Sequence, residues 1–114
     1  MFDKGFERSE FECRCGCGFD TVDVETLFIL EELKRWFDTT VTITSGCRCY
    51  AYNIFVGGED GSYHVKGRAV DISVKGIDPT VVYEYLNKLY PDRYGIGKYT
   101  TFTHIDTRAE RERW

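Results

Sequence analysis

The run Ala69-Val-Asp-Ile-Ser-Val74 alternates with a period of two, and no other stretch constrains the fold as tightly. Successive side chains of a strand point to opposite faces, so Val70, Ile72 and Val74 share the core face and Asp71 points the other way. Two further runs read as strands on the same grounds, Val41-Thr-Ile43-Thr and Phe102-Thr-His-Ile-Asp106. The last of these puts Phe102, His104 and Asp106 on one face.

Two segments carry the helical period instead. Asp23 caps a helix placed at about residues 23 to 37, with Leu27, Leu30, Leu33 and Phe37 along one flank. Glu25 comes early in it and Lys34 and Arg35 late, the order that complements the helix dipole. Asp78 caps a second helix that has Pro79 in its first turn, repeats Val82, Tyr85, Leu86 and Leu89, and stops at Pro91. The glycines at 57, 58, 61, 95 and 97 read as loops between these elements. The expected fold class is therefore α+β, a small and mostly antiparallel sheet with helices packed on one side. The 114 residues hold 42% hydrophobic side chains and no repeat or linker, so one domain spanning residues 1–114 is expected.

Composition narrows the function. Nineteen acids against fifteen bases leave a net charge of −4, with no basic excess to neutralise phosphates, so nucleic acid is excluded as a partner. Residues 1–18 are charged and hold no apolar run, which reads as neither a secretory signal nor a membrane anchor. Cytosolic synthesis without membrane insertion, as a monomer, is the expectation.

His64 and His104 are the only histidines. His64 lies seven residues before Asp71, and His104 sits on a later strand beside Asp106. Two imidazoles and a carboxylate from different elements form a ligand set for Zn²⁺ that leaves a position for water. The same residues also suit a capped, hydrogen-bonded loop that holds no metal.

The surrounding motifs are SGCRCYAYN, VGG, SYHVKGRAVD and GIGKYTTFTHID. With the N-terminal F-x-C-x-CGCG and the closing arginine- and tryptophan-containing tail, they closely resemble the zinc D-Ala-D-Ala carboxypeptidase family, peptidase M15, in its small branch common in phages and bacteria. The resemblance covers nearly the whole chain and implies the hedgehog/D-Ala-D-Ala peptidase fold. It makes His64, Asp71 and His104 the ligands of one Zn²⁺. Arg48, sixteen residues before His64, becomes the group that binds or polarises the substrate carboxylate or carbonyl. The alternative for Arg48 is an ion pair with an acid on its own helix. Ser62 becomes a residue that orients the loop or the substrate, or simply caps a turn. Tyr50, Tyr52 and Tyr99 fall near the implied cleft.

One position departs from the pattern. Relatives place Glu, Asp or His three residues before the last ligand as general base, and this chain has Thr101 there. Asp106 is the substitute on the same strand face as His104, either as that base or as an acceptor that orients a ligand imidazole. The implied activity is hydrolysis of an amide bond in the stem peptide of peptidoglycan, in cell-wall lysis or remodelling. A phage lysis enzyme released by a membrane-permeabilising partner, or one carried in the virion, would reconcile a cytosolic start with a wall substrate. The alternative is a non-catalytic zinc-containing module for wall binding or phage structure. The hedgehog signalling domain, which shares GRAVDI, looks like such a use of the fold. A metal-free structural domain is a third reading.

Five cysteines, an odd number, do not close a disulfide framework. Cys13, Cys15 and Cys17 with Cys47 and Cys49 read as reduced, partly buried thiols, because C-x-C-x-C lacks the two-residue spacing of a zinc knuckle. A second metal cluster, or a bridge from the N-terminal group to Cys47 or Cys49, are the alternatives. Residues 108–114 read as a solvated tail or helix end.

Overall fold

The computed structural model describes residues 6–114; residues 1–5, which belong to the charged N-terminal stretch read above, lie outside the described residues. After a 3-10 turn at Arg8–Phe11 the elements follow in the order α1 (Val24–Phe37), β1 (Val41–Ser45), α2 (Tyr50–Phe55), β2 (Ala69–Val74), α3 (Pro79–Leu89), β3 (Gly95–Lys98), β4 (Thr103–Asp106) and β5 (Glu112–Arg113). The strands form one sheet in the order β1-β2-β4-β3-β5, antiparallel except for the parallel pair β3–β5. The α+β expectation holds.

Both helix caps form as read. The Asp23 carboxylate accepts from the Thr26 amide at 3.1 Å, and that of Asp78 from the Thr80 amide at 2.8 Å. Helices α1 and α3 bury Ile29, Leu30, Leu33, Val82 and Leu86 against Val41, Ile43, Val70, Ile72, Ile96 and Ile105 of the sheet. This apolar layer fixes the strand register, because a slip of one residue would turn every one of those side chains to the opposite face. The register pairs Asp71 with His104 across β2–β4, and Gly97 with His104 and Gly95 with Asp106 across β3–β4. The face away from α1 and α3 therefore carries Asp71, His104 and Asp106 side by side.

Three readings are corrected. Gly95 and Gly97 lie in a strand, not a loop. A side chain at position 95 would meet the Asp106 carboxylate at 2.5 Å, and one at 97 would meet the Trp114 indole at 2.4 Å, so the glycines answer to close neighbours rather than to a turn. Residues 108–114 are mostly exposed but neither a free tail nor a helix end: Glu112–Arg113 pair with β3, and Arg113 donates to the carbonyls of Tyr90 and Tyr94 at 2.6 Å each. Phe102 precedes the last run's strand, which begins at Thr103. Among the described residues no helix is long and apolar enough to cross a membrane.

Candidate metal and substrate site

His64, Asp71 and His104 reach one point from three elements. His64 lies in the turn over residues 63–67, Asp71 is on β2 and His104 on β4, and all three are buried. The Asp71 Oδ1 atom lies 2.9 Å from His104 Nδ1 and 3.4 Å from His64 Nε2. Tetrahedral zinc with ligands at about 2.0–2.1 Å separates its donor atoms by roughly 3.4 Å, which the Asp71–His64 pair matches, while the Asp71–His104 pair closes to a hydrogen bond; the donor set suits the ion in chemistry.

Hydrogen bonds fix which nitrogen each ring presents. His64 Nδ1 is 2.7 Å from the Gly46 carbonyl, which can only accept, so Nδ1 carries a proton and Nε2 is the nitrogen turned toward Asp71. His104 Nε2 is 2.7 Å from Asp106 Oδ2, which leaves Nδ1 as its inward donor atom. Ser62 acts on the backbone, its hydroxyl accepting from the His64 amide at 3.2 Å.

Charge follows the same geometry. Burial would raise the Asp71 carboxyl, but hydrogen bonds from His104 and His64 outweigh it and bring the group down to about 2. Burial would likewise lower His104, yet its bonds to Asp106 and Asp71 hold it above the ordinary imidazole value. Asp106 has no exposed surface. Its Oδ1 accepts from the Gly95 amide at 3.1 Å and from Arg108 Nε at 2.8 Å, and its Oδ2 from Arg108 Nη2 and His104 Nε2 at 2.7 Å each. Against the cost of burial, the bonds from His104 and Arg108 hold this carboxylate well below its usual range. A carboxylate so occupied orients an imidazole and has no lone pair left for a water.

His64, Asp71 and His104 floor a cleft of about 700 Å³ whose wall takes Arg48, Tyr63, Tyr99 and Trp114. Arg48 precedes α2 and makes no pair with an acid on a helix. Its Nη1 donates to Asn53 Oδ1 at 3.1 Å, and its Nη2 lies 3.7 Å from Asp71 Oδ2. Tyr99 stacks on Phe102 with ring centroids 4.4 Å apart and accepts from Trp114 Nε1 at 2.7 Å. Tyr50 and Tyr52 sit on α2 and do not line this cleft. Thr101 does not line it either, whereas Glu59, Asp60 and Glu112 do.

Arg108 and Trp114 were not singled out by the sequence reading. The Trp114 ring lies 5.1 Å from that of His104, and the Arg108 guanidinium 5.3 Å from the Trp114 ring. The signal that could have found them is the match of the closing tail to the same motif set.

The sulfurs of Cys13, Cys15, Cys17 and Cys49 form a second convergent group, all within 4.8 Å of one another. All five cysteines are free of disulfides, and Cys15 and Cys17 are exposed rather than partly buried. The family model described as peptidase M15 matches residues 4–106. No curated protein and no solved structure matches the chain.

Proposed function

The chain belongs to the peptidase M15 family, and from that premise we propose that it is a one-domain, monomeric zinc peptidase cleaving an amide bond in the stem peptide of bacterial peptidoglycan. The observation that carries this reading is the convergence of His64 Nε2, Asp71 Oδ1 and His104 Nδ1 beneath a cleft walled by an arginine. When bound, Zn²⁺ supplies Lewis acidity to a carbonyl and acidity to a water.

The chain's own groups do the rest. His64 and His104 present bare nitrogens because Gly46 and Asp106 hold their opposite ring protons. Arg48, braced by Asn53, offers its planar fork to a terminal carboxylate or a polarised carbonyl oxygen of the stem peptide. Ser62 keeps the His64 turn in place, and Tyr99 gives the peptide an aromatic wall. We assign Asp106 the orienting role rather than that of base. Glu59, Asp60 and Glu112 are then the cleft carboxylates left to accept a proton from the attacking water.

Mass analysis of fragments from peptidoglycan digested by zinc-loaded protein tests the reading. Release of defined stem-peptide products, lost in His64→Ala, supports it and identifies the bond. The threonine at position 101, where relatives place a base, favours one rival, a zinc-containing module that binds the wall without cleaving it. Wild-type protein that binds sacculi and releases nothing from any stem peptide would establish that rival and overturn the peptidase.

A further inference from the structure

We propose that Cys13, Cys15, Cys17 and Cys49 hold a second zinc ion, a structural Cys₄ site separate from the histidine site. The Cys13 and Cys15 sulfurs lie 3.5 Å apart, and those of Cys15 and Cys49 3.7 Å apart. Four thiolates at about 2.3 Å from a tetrahedral zinc stand roughly 3.8 Å from one another, whereas a disulfide needs about 2.0 Å. These two separations are close to tetrahedron edges, and all four sulfurs lie within 4.8 Å of one another.

The chain is shaped for this convergence. Gly16 and Gly18 adopt φ of +88° and +91°, with nothing near the position of a Cβ, so it is the reversal of the backbone that calls for glycine. These reversals let three cysteines in five residues turn toward one point, which the two-residue spacing of a knuckle achieves by other means. The loop is closed by the Cys13 amide donating to the Phe19 carbonyl at 2.7 Å. Backbone amides also point at the sulfurs: that of Cys49 donates to Cys13 Sγ at 3.3 Å, and that of Tyr52 to Cys49 Sγ at 3.4 Å. Such donors stabilise thiolate ligands.

Packing offers no competing account of Cys15 and Cys17, which are exposed although cysteine is among the most buried residue types. Cys47 stands apart, buried and donating to the Phe19 carbonyl at 2.9 Å. Four ligands and one packed thiol explain the odd count. The ion would tie the N-terminal loop to Cys49, which caps α2 and directly follows Arg48, so it would hold the backbone that carries the cleft's arginine.

The test is independent of the peptidase reading, because it reads metal. Zinc analysis of wild-type protein purified under reducing conditions should give about two equivalents, and about one in the double variant Cys15→Ser/Cys17→Ser. Cobalt-loaded wild-type and His64→Ala proteins should both show the thiolate-to-cobalt charge-transfer band, which the double serine variant loses. Should that variant fail to fold, titration of the wild type with a mercurial should release one zinc as four thiols react. A single zinc with no such band in the wild type would overturn the proposal, as would fewer than five thiols titrating in denatured, unreduced protein.

Discussion

Asp106→Asn separates an orienting carboxylate from a base, and its size can be worked from the contacts. Five donors converge on Asp106: the amides of Gly95 and Arg108, Arg108 Nε and Nη2, and His104 Nε2. An asparagine oxygen can replace only one carboxylate oxygen, so its NH₂ must face donors on the other side. If the NH₂ takes the Oδ2 position it confronts Arg108 Nη2 and His104 Nε2 together. His104 escapes the clash by moving its proton to Nδ1, the nitrogen needed for the metal. Loss of such an orienting partner typically costs 10–100-fold in metal affinity. Stability falls as well, because breaking a buried ion pair on one side costs about 3–5 kcal/mol. The Arg108 side chain is 23% exposed and recovers some hydration, which favours the low end. About 3 kcal/mol corresponds to a Tm drop on the order of 10 °C for a domain of this size. Zinc competition against a chromophoric chelator reads the first effect, and thermal unfolding in excess chelator the second. Zinc affinity within twofold of wild type would refute the orienting role. Intact affinity and stability with turnover abolished would make Asp106 the base after all.

Gly95→Ala should reach the same carboxylate from the facing strand, since its Cβ would lie 2.5 Å from both Asp106 oxygens; an overpacking loss of about 1–3 kcal/mol with weakened zinc binding is expected from unfolding and metal titrations. Arg48→Lys keeps the charge but loses the fork, so kcat/KM on stem peptides should fall by about 10²-fold while zinc content stays unchanged by elemental analysis. The metal-free protein should be most stable between about pH 4 and 6.5 in denaturant titrations. The depressed Asp71, at about 2 against 3.8, contributes stability that is present above its unfolded value and lost as pH falls through its folded one. The raised His104 contributes below 6.5 and loses that contribution as pH rises through its folded value. Stability of the metal-free protein that rises steadily from pH 6.5 to 9 would contradict this.

What the sequence made legible was local. Helices α1 and α3 could be placed because Asp23 and Asp78 cap them through bonds three and two residues away. The three candidate metal donors could be named from residue type, spacing and motif. What escaped depends on pairing between distant segments. Strand β3 hides behind Gly95 and Gly97, whose lack of side chains matters only once Asp106 and Trp114 are across from them. Arg113 reads as one more charge in a polar run until its guanidinium meets the carbonyls of Tyr90 and Tyr94. The spacing of Cys13, Cys15 and Cys17 disfavours a knuckle, but spacing carries no information about Cys49, which arrives from beyond α1 and β1.

The core and the site are therefore one problem seen from two faces of a sheet. Asp71 lies opposite His104 because Val70 lies opposite Ile105 and Ile72 opposite Thr103, and that register is set by burial against α1 and α3. A slip of one residue between β2 and β4 would expose apolar side chains worth about 1.5–3 kcal/mol each and turn His104 toward the helices, so packing alone enforces the donor geometry. A substitution such as Ile105→Ala, whose side chain never touches the donors' face, should thus loosen the site as well as the fold. Such a loss, about 2–5 kcal/mol by the cavity argument, should appear with weakened zinc binding that extra zinc restores through mass action. Undiminished zinc affinity in that variant would mean that the loops alone hold the site.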